Sequence, residues 1–310
     1  MTIRTPILCG LAVLFLASTA AASEDAYILV LGIAQDAGYP QTGCYQPHCL
    51  PGWTDPERRR TTSSIAVVDE RLRAKYLFDA TPDMREQLFR LHKAASDNEY
   101  GLEGVFLTHA HMGHYTGLMH FGHESMGADG IPVYAMPRMA EFLSSNGPWD
   151  QLVQYGNISL NPLEDGVSVE LQDRIRVTPF LVPHRDEYSE TVGFRIEGPN
   201  KSAIFIPDID KWDRWETDIR DMVRSVDYAL LDAAFFADGE LPGRDMSKIP
   251  HPFVSESMAL FDDLSDEERS RVIFIHMNHS NPLLDPASPE QDIVKARGYR
   301  VATEGLRLEL

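Results

Sequence analysis

An apolar run meets a histidine-rich turn in Gly104-Val105-Phe106-Leu107-Thr108-His109-Ala110-His111-Met112-Gly113-His114. The apolar residues predict a buried strand that ends where the polar turn begins. Neutral imidazole is the commonest protein ligand for zinc and related ions. His109 and His111 point to the same side of an extended chain, and His114 can face a second metal once the chain turns. The three histidines therefore predict a metal chelate at the end of a strand.

Further ionisable residues stand at the ends of other predicted strands. They are Asp79, His184, Asp208, Asp232 and His276. A single aspartate after a strand is often only a turn former or a helix cap. Ligands at several strand tips, however, collect at one edge of a sheet and make a rigid metal site. The sequence has no His-Glu-x-x-His motif, no phosphate-binding loop and no Gly-x-Ser-x-Gly elbow, which disfavours serine-hydrolase and P-loop chemistry.

The composition describes an acidic chain that is large enough to bury a core. It has 310 residues, of which 43% are hydrophobic, and a net charge of −19. This charge disfavours nucleic acid and anionic membranes as partners and leaves a small-molecule substrate. Strands and helices alternate without a linker, which predicts one domain over residues 23–310 with sheets covered by helices. The pattern predicts strands over 131–135 and 228–232 and helices over 137–145, 212–223 and 255–264.

The N-terminus has the pattern of a cleaved signal peptide. Arg4 precedes an apolar run over residues 7–17, and Ala20-Ala21-Ala22 offers small residues for cleavage. We therefore expect residues 1–22 to be removed and the mature protein to be periplasmic or secreted, without a membrane span. Cys44 and Cys49 then remain, and a disulfide is their simplest fate in an oxidising compartment. The alternative is a structural zinc with His48 as a third ligand.

The histidine motif resembles the signature of the metallo-β-lactamase superfamily, Thr-His-x-His-x-Asp-His at a strand end. A narrower resemblance is to the branch that contains pyrroloquinoline-quinone biosynthesis protein B. It rests on Cys44, on His276-Met277-Asn278-His279-Ser280-Asn281-Pro282 and on Leu31-Gly32-Ile33-Ala34-Gln35-Asp36-Ala37-Gly38-Tyr39-Pro40-Gln41. The resemblance implies a four-layer αββα sandwich and metal-dependent hydrolysis.

The resemblance also implies a role for each candidate residue. His109, His111 and His184 would hold the first metal ion. His114 and His276 would hold the second, with Asp208 bridging the two and orienting the attacking water. Asp79 would orient the histidine loop. His279 is the alternative to His276, and His251, in Ile249-Pro250-His251-Pro252, is the candidate general acid.

The chain departs from the signature at Gly113, where the family has aspartate. Without that carboxylate, we expect a weaker or differently selective second site. The expected cofactor is one or two zinc ions, with iron or manganese also compatible with His/Asp ligation. The expected reaction is attack of a metal-activated water on a phosphodiester, ester, lactone or β-lactam. The alternatives are an iron-dependent oxygenase like protein B and a metal-binding protein that has lost catalysis.

Overall fold

A computed structural model describes residues 26–36 and 38–310. The predicted signal peptide, residues 1–22, lies outside this part of the chain. The described residues form two seven-stranded sheets. In chain order the strands are β1 (Ala26–Gly32), β2 (Ser64–Asp69), β3 (Ala74–Phe78), β4 (Gly101–Phe106), β5 (Ile131–Ala135), β6 (Ile158–Pro162), β7 (Val169–Leu171), β8 (Ile175–Leu181), β9 (Val192–Glu197), β10 (Ser202–Ile206), β11 (Tyr228–Asp232), β12 (Val272–Ile275), β13 (Arg300–Val301) and β14 (Arg307–Glu309).

Short helices connect the strands and cover the sheets. They are α1 (Leu50–Thr54), α2 (Met84–Ala94), α3 (Met112–Tyr115), α4 (Pro137–Ser145), α5 (Trp149–Gln154), α6 (Ile219–Arg224), α7 (Val254–Leu260), α8 (Asp266–Arg271) and α9 (Pro289–Ala296). The prediction of one helix over 212–223 is wrong. Trp212–Arg214 forms a single 3₁₀ turn, and α6 begins only at Ile219. Asp218 ends the extended segment between them, because its side chain caps α6 by accepting from the Arg220 amide N–H (2.9 Å).

The topology brings the ends of several strands to one edge. The first sheet has the order β14-β1-β2-β3-β4-β5-β6, and the second has the order β13-β12-β11-β10-β9-β8-β7. Strand β4 is parallel to β3, and β11 is parallel to both β10 and β12. Parallel neighbours have their carboxyl ends on the same side of a sheet. The loops that follow these strands can therefore meet at a common edge.

The side chains of β1 show how the layers form. Ile28 and Val30 face the second sheet, in one core cluster with Phe205 and Ile206. Their neighbours along the strand face the other way and join a second cluster with residues of α2 and α4. Between the sheets, the Phe194 ring contacts the rings of two residues from the first sheet, Phe78 (5.4 Å between centroids) and Phe106 (5.7 Å). Helices α6, α7 and α9 pack on the outer face of the second sheet. This arrangement confirms the predicted αββα sandwich.

The helices that the structure describes are short. Over residues 26–36 and 38–310, none combines the length and the hydropathy that a bilayer span requires. Cys44 and Cys49 form a disulfide that closes a small loop after β1.

Candidate metal centre

The predicted site residues come from both sheets and meet at one edge. The first sheet supplies Asp79 directly after β3, His109 and His111 in the loop after β4, and His114 in α3. The second sheet supplies the other candidates, which are His184 after β8, Asp208 after β10, Asp232 at the end of β11, His251 before α7 and His276 after β12.

The first candidate metal position comprises His109, His111, His184 and Asp208. Their ligand atoms all lie within 4.8 Å of one another. His109 Nε2 is 3.3 Å from Asp208 Oδ2, and His184 Nε2 is 3.2 Å from Asp208 Oδ1. Ligands at the usual 2.0–2.1 Å from a tetrahedral zinc lie roughly 3.3 Å apart. The spacing of these atoms therefore fits a single tetrahedral ion.

The second candidate position comprises His114, Asp208, His276 and Asp36, a residue that the sequence reasoning did not select. Their ligand atoms also lie within 4.8 Å of one another. Asp208 Oδ2 is 3.6 Å from His114 Nε2 and 3.8 Å from His276 Nε2. The position thus contains two carboxylates, whereas the glycine at 113 led us to expect only Asp208.

Asp208 belongs to both candidate metal positions, and its side chain is only 2% exposed. Burial alone would raise the pKa of its carboxyl group, but the imidazoles of His184 and His251 outweigh burial and hold this pKa well below its usual range. Burial opposes protonation of His184 too, yet Asp208 raises the pKa of that imidazole to about 10. A carboxylate that remains charged among several imidazoles is suited to bridging two cations.

Several polar atoms at the centre lack a hydrogen-bond partner among the described residues. They are His184 Nε2, Asp208 Oδ1 and both ring nitrogens of His276. Buried polar atoms are almost always paired, because leaving one unpaired costs free energy. Imidazole nitrogens and carboxylate oxygens that converge in this way can be satisfied by a cation, which takes the place of an imidazole proton when it binds. The residues present therefore fit a metal ion.

In three of the imidazoles the outer nitrogen faces a carboxylate oxygen, which orients the ring. His114 Nδ1–H donates to Asp79 Oδ2 (2.7 Å), so its Nε2 lone pair faces the second position. His184 Nδ1 lies 3.2 Å from Asp210 Oδ1, and His111 Nε2 lies 3.3 Å from Glu187 Oε2. Such carboxylate partners fix the tautomer of a ligating histidine and strengthen it as a ligand. Neither Asp210 nor Glu187 stands at a strand end, so the strand-end criterion could not find them.

Asp79 also holds the histidine loop by accepting hydrogen bonds from Thr108, the residue before His109. Its carboxylate accepts from the Thr108 amide N–H (2.8 Å) and from the Thr108 hydroxyl (2.9 Å). Asp79 and His276 both have positive φ angles, 64° and 68°. This left-handed conformation costs free energy for residues other than glycine, and it persists where the surroundings enforce it. At both positions it turns a side chain at a strand end toward the centre.

His251 lies beside the centre, paired with Asp232. Its Nδ1–H donates to Asp232 Oδ2 (2.7 Å), and the same nitrogen is 3.2 Å from Asp208 Oδ1. Only 7% of His251 is exposed. Asp232 also accepts from the Ile209 amide N–H (3.1 Å), the residue after Asp208. Asp232 therefore positions both His251 and the loop that carries Asp208.

His279, the alternative to His276, lies elsewhere. Its ring is 5.5 Å from that of His48, next to the disulfide. His48, His279 and the two cysteines form a further group whose ligand atoms lie within 4.8 Å of one another. The structure therefore places His276 at the centre between the sheets and His279 with the cysteine loop.

Comparisons with known proteins agree with this architecture. A family model described as "Beta-lactamase superfamily domain" matches residues 74–277. Coenzyme PQQ synthesis protein B of Xanthomonas campestris is 28% identical over 313 aligned residues, covering 91% of this chain and 99% of that protein. The structure of zinc-bound PqqB from Methylobacterium extorquens has a TM-score of 0.76 at 25% identity, covering 92% of this chain and all of that one. A diphosphatase of the PhnP family has a TM-score of 0.62 at 24% identity, covering 92% and 97%.

Proposed function

Since the chain belongs to the beta-lactamase superfamily, we propose that it is a metal-dependent hydrolase with two metal positions that share Asp208. One observation supports this most directly. Asp208 lies between two groups of side chains, and each group has the spacing of a complete ligand set. The first position would be held by His109, His111 and His184, and the second by His114 and His276, as the resemblance implies.

A centre of this kind supplies a water nucleophile that is active near neutral pH, and it polarises the bond under attack. The protein's own residues then have separate tasks. Asp208 would accept a hydrogen bond from the attacking water and so orient it toward the substrate. Asp79 would hold His114 in the tautomer that ligation needs, because it accepts from His114 Nδ1–H.

His251 is the candidate proton donor for the leaving group. Its Nδ1–H is fixed on Asp232 (2.7 Å), which leaves the opposite ring nitrogen to exchange a proton with the substrate. A histidine held by a carboxylate in this way is a common general acid. We propose the same role for His251 in cleavage of an ester, lactone, β-lactam or phosphodiester.

The ligand types suggest which metals each position prefers. Three imidazoles and one carboxylate suit zinc, and a structural relative was solved with zinc bound. Two carboxylates with two imidazoles accept iron or manganese more readily. We therefore propose zinc at the first position and a less selective second position.

The test is metal-dependent turnover by the mature full-length protein. The protein is stripped of metal, reloaded with zinc, manganese or iron, and assayed with bis-p-nitrophenyl phosphate, an aryl ester, a lactone and a chromogenic cephalosporin. We expect one class to be hydrolysed only after reloading, with His109→Ala inactive and Asp129→Asn, an exposed loop variant, unchanged. If no metal restores hydrolysis of any class, the proposed function is wrong.

A second candidate function follows from similarity over nearly the whole chain to relatives named coenzyme PQQ synthesis protein B. In that case the centre would hold iron and use oxygen in a step of coenzyme PQQ synthesis. Metal analysis of protein from its native compartment, combined with oxygen-uptake assays, separates the candidates. Stoichiometric iron with oxygen consumption supports the oxygenase, and zinc with hydrolysis supports the first proposal.

A further inference from the structure

We infer that Asp36 is the carboxylate ligand of the second metal position, replacing the aspartate that the superfamily signature has where this chain has Gly113. The inference rests on the proposed metal-dependent function and extends it, because it supplies the ligand that the motif lacks. Asp36 lies in the loop after β1, far from the motif in sequence.

The distances around Asp36 are those of a ligand. Its Oδ1 atom is 3.1 Å from His114 Nε2 and 3.5 Å from His276 Nε2. These values bracket the separation of roughly 3.3 Å expected between two ligands of one tetrahedral zinc. Asp36 and Asp208 therefore approach the same two imidazoles, and the four side chains enclose a position of the size that one ion needs.

Gly113 shows that Asp36 occupies the place of the missing side chain. A Cβ atom added to Gly113 would lie 2.6 Å from Asp36 Oδ1, 2.7 Å from its Cα and 2.9 Å from its Cβ. Contacts this short are not tolerated, and the contact with Cα cannot be relieved by rotating a side chain. An aspartate at 113 and the observed position of Asp36 therefore exclude each other. The glycine is the residue that lets the carboxylate enter from another loop.

Hydrogen bonds join the loop that carries Asp36 to the segment that follows His276. The Gln35 amide N–H donates to the Met277 carbonyl (2.8 Å), and the Met277 amide N–H donates to the Ile33 carbonyl (2.8 Å). The Asn278 side chain donates to Gln35 Oε1 (2.7 Å). These bonds join the residues next to Asp36 to those that follow His276. The two side chains are thus positioned together across the two sheets, as a preorganised site requires.

Asp36 also differs from the other ligands in its exposure. Its side chain is 37% exposed, whereas His114 and His276 are completely buried. Asp36 therefore forms the solvent-facing side of the second position.

The experiment measures zinc binding rather than activity. Mature full-length protein is stripped of metal and titrated with zinc against a chelator, and bound zinc is counted by mass spectrometry. We expect the wild-type protein to bind two zinc ions at the centre. Asp36→Asn, which keeps the size of the side chain, should leave the first ion and weaken the second by at least about 10- to 100-fold, the loss typical when even an outer partner of a ligand is removed. Asp129→Asn, on an exposed loop, should bind zinc like the wild type.

The exchanged variant tests the replacement directly. Gly113→Asp alone should lower the melting temperature and bind only one zinc ion, because the new side chain collides with Asp36. In the double variant Gly113→Asp with Asp36→Gly, the Oδ1 and Cβ atoms of residue 36 are gone, and of the three close contacts only the one between Cβ of residue 113 and Cα of residue 36 remains, at 2.7 Å. A loop shift of about 0.3 Å lengthens this contact to 3.0 Å, the shortest distance that a Cβ atom tolerates. We expect the double variant to regain the second zinc ion.

The outcomes separate the inference from the proposed function. If Asp36→Asn binds zinc with the stoichiometry and affinity of the wild type, whether that is two ions or one, Asp36 is not a ligand, although metal-dependent hydrolysis can still hold. If the wild type binds no zinc, manganese or iron at the centre, the proposed function itself fails. Asp36→Asn keeps the test decisive even if the exchanged variant does not fold.

Discussion

Replacing Asp79 should weaken the second metal position from a distance, because Asp79 touches no candidate ion and acts through His114. Its carboxylate accepts from His114 Nδ1–H and from the amide and hydroxyl of Thr108, and all three residues are buried. Asp79→Ala would leave two buried N–H donors unpaired, those of His114 Nδ1 and of the Thr108 amide, at about 1–3 kcal/mol each. The Thr108 hydroxyl keeps a partner, because it also lies 2.9 Å from His109 Nδ1. It would also place alanine at a φ of 64°, which adds on the order of 1 kcal/mol.

The expected loss for Asp79→Ala is about 3–7 kcal/mol of unfolding free energy, comparable to the whole stability of many domains. Asp79→Asn is therefore the informative variant. Its oxygen can still accept from Thr108, but an amide nitrogen facing His114 Nδ1–H cannot accept a hydrogen bond. The lost charge-assisted bond is worth about 1.5–3 kcal/mol, which matches a drop in metal affinity of about 10- to 100-fold.

Chelator competition measures the affinity, and thermal unfolding of metal-free protein measures the stability. Asp83→Asn gives a useful comparison, since Asp83 is an aspartate that accepts from the Thr62 amide N–H (2.8 Å) and is in none of the candidate ligand groups. It should lose stability without losing metal affinity. An Asp79→Asn protein with wild-type affinity at both positions would refute the orienting role of Asp79.

Four further outcomes are expected. His109→Ala should lower the bound metal by one ion and reduce turnover to background, as measured by metal analysis and the hydrolysis assay. His251→Ala should lower kcat by about 10²–10⁴-fold with unchanged metal content, and the loss should shrink for substrates with a good leaving group such as p-nitrophenolate. Removing metal with a chelator should lower the unfolding free energy by about 2.7 kcal/mol relative to protein in metal at 100 times the Kd, which denaturant titration checks. Mass spectrometry of exported protein should find Ser23 at the N-terminus; an intact N-terminus on exported protein would contradict cleavage.

Elements with strong local signals could be predicted from the sequence. The strand Tyr228–Asp232 and the helix Pro137–Ser145 have the predicted bounds. Each has a clear apolar pattern, and Pro137 marks the helix start. The helix predicted over 212–223 was wrong because a periodic pattern does not reveal a cap. The bond from Trp212 Nε1–H to Ser257 Oγ (2.9 Å) anchors that segment to α7, a contact that no local pattern encodes.

The metal centre likewise contains residues that a local sequence pattern reveals and residues that it does not. His109, His111 and His114 were recognisable because they stand close together at the end of an apolar strand. Asp36 lies 78 residues from His114 along the chain, and it follows β1 only after several intervening residues. Its approach depends on how the loop after β1 pairs with the segment after His276. Gly113 was the one departure from the signature that bears on this position, and it led us to expect a weaker second site rather than a carboxylate from another loop.

Anomalous diffraction from zinc-soaked crystals of the mature protein tests the two-metal centre most directly. We predict two peaks on either side of Asp208, about 3.5–4 Å apart as in known two-metal sites. One should lie among His109, His111 and His184, and the other among His114, His276 and Asp36. Crystals with no zinc peak next to Asp208 would contradict a metal-dependent centre at this edge of the sheets.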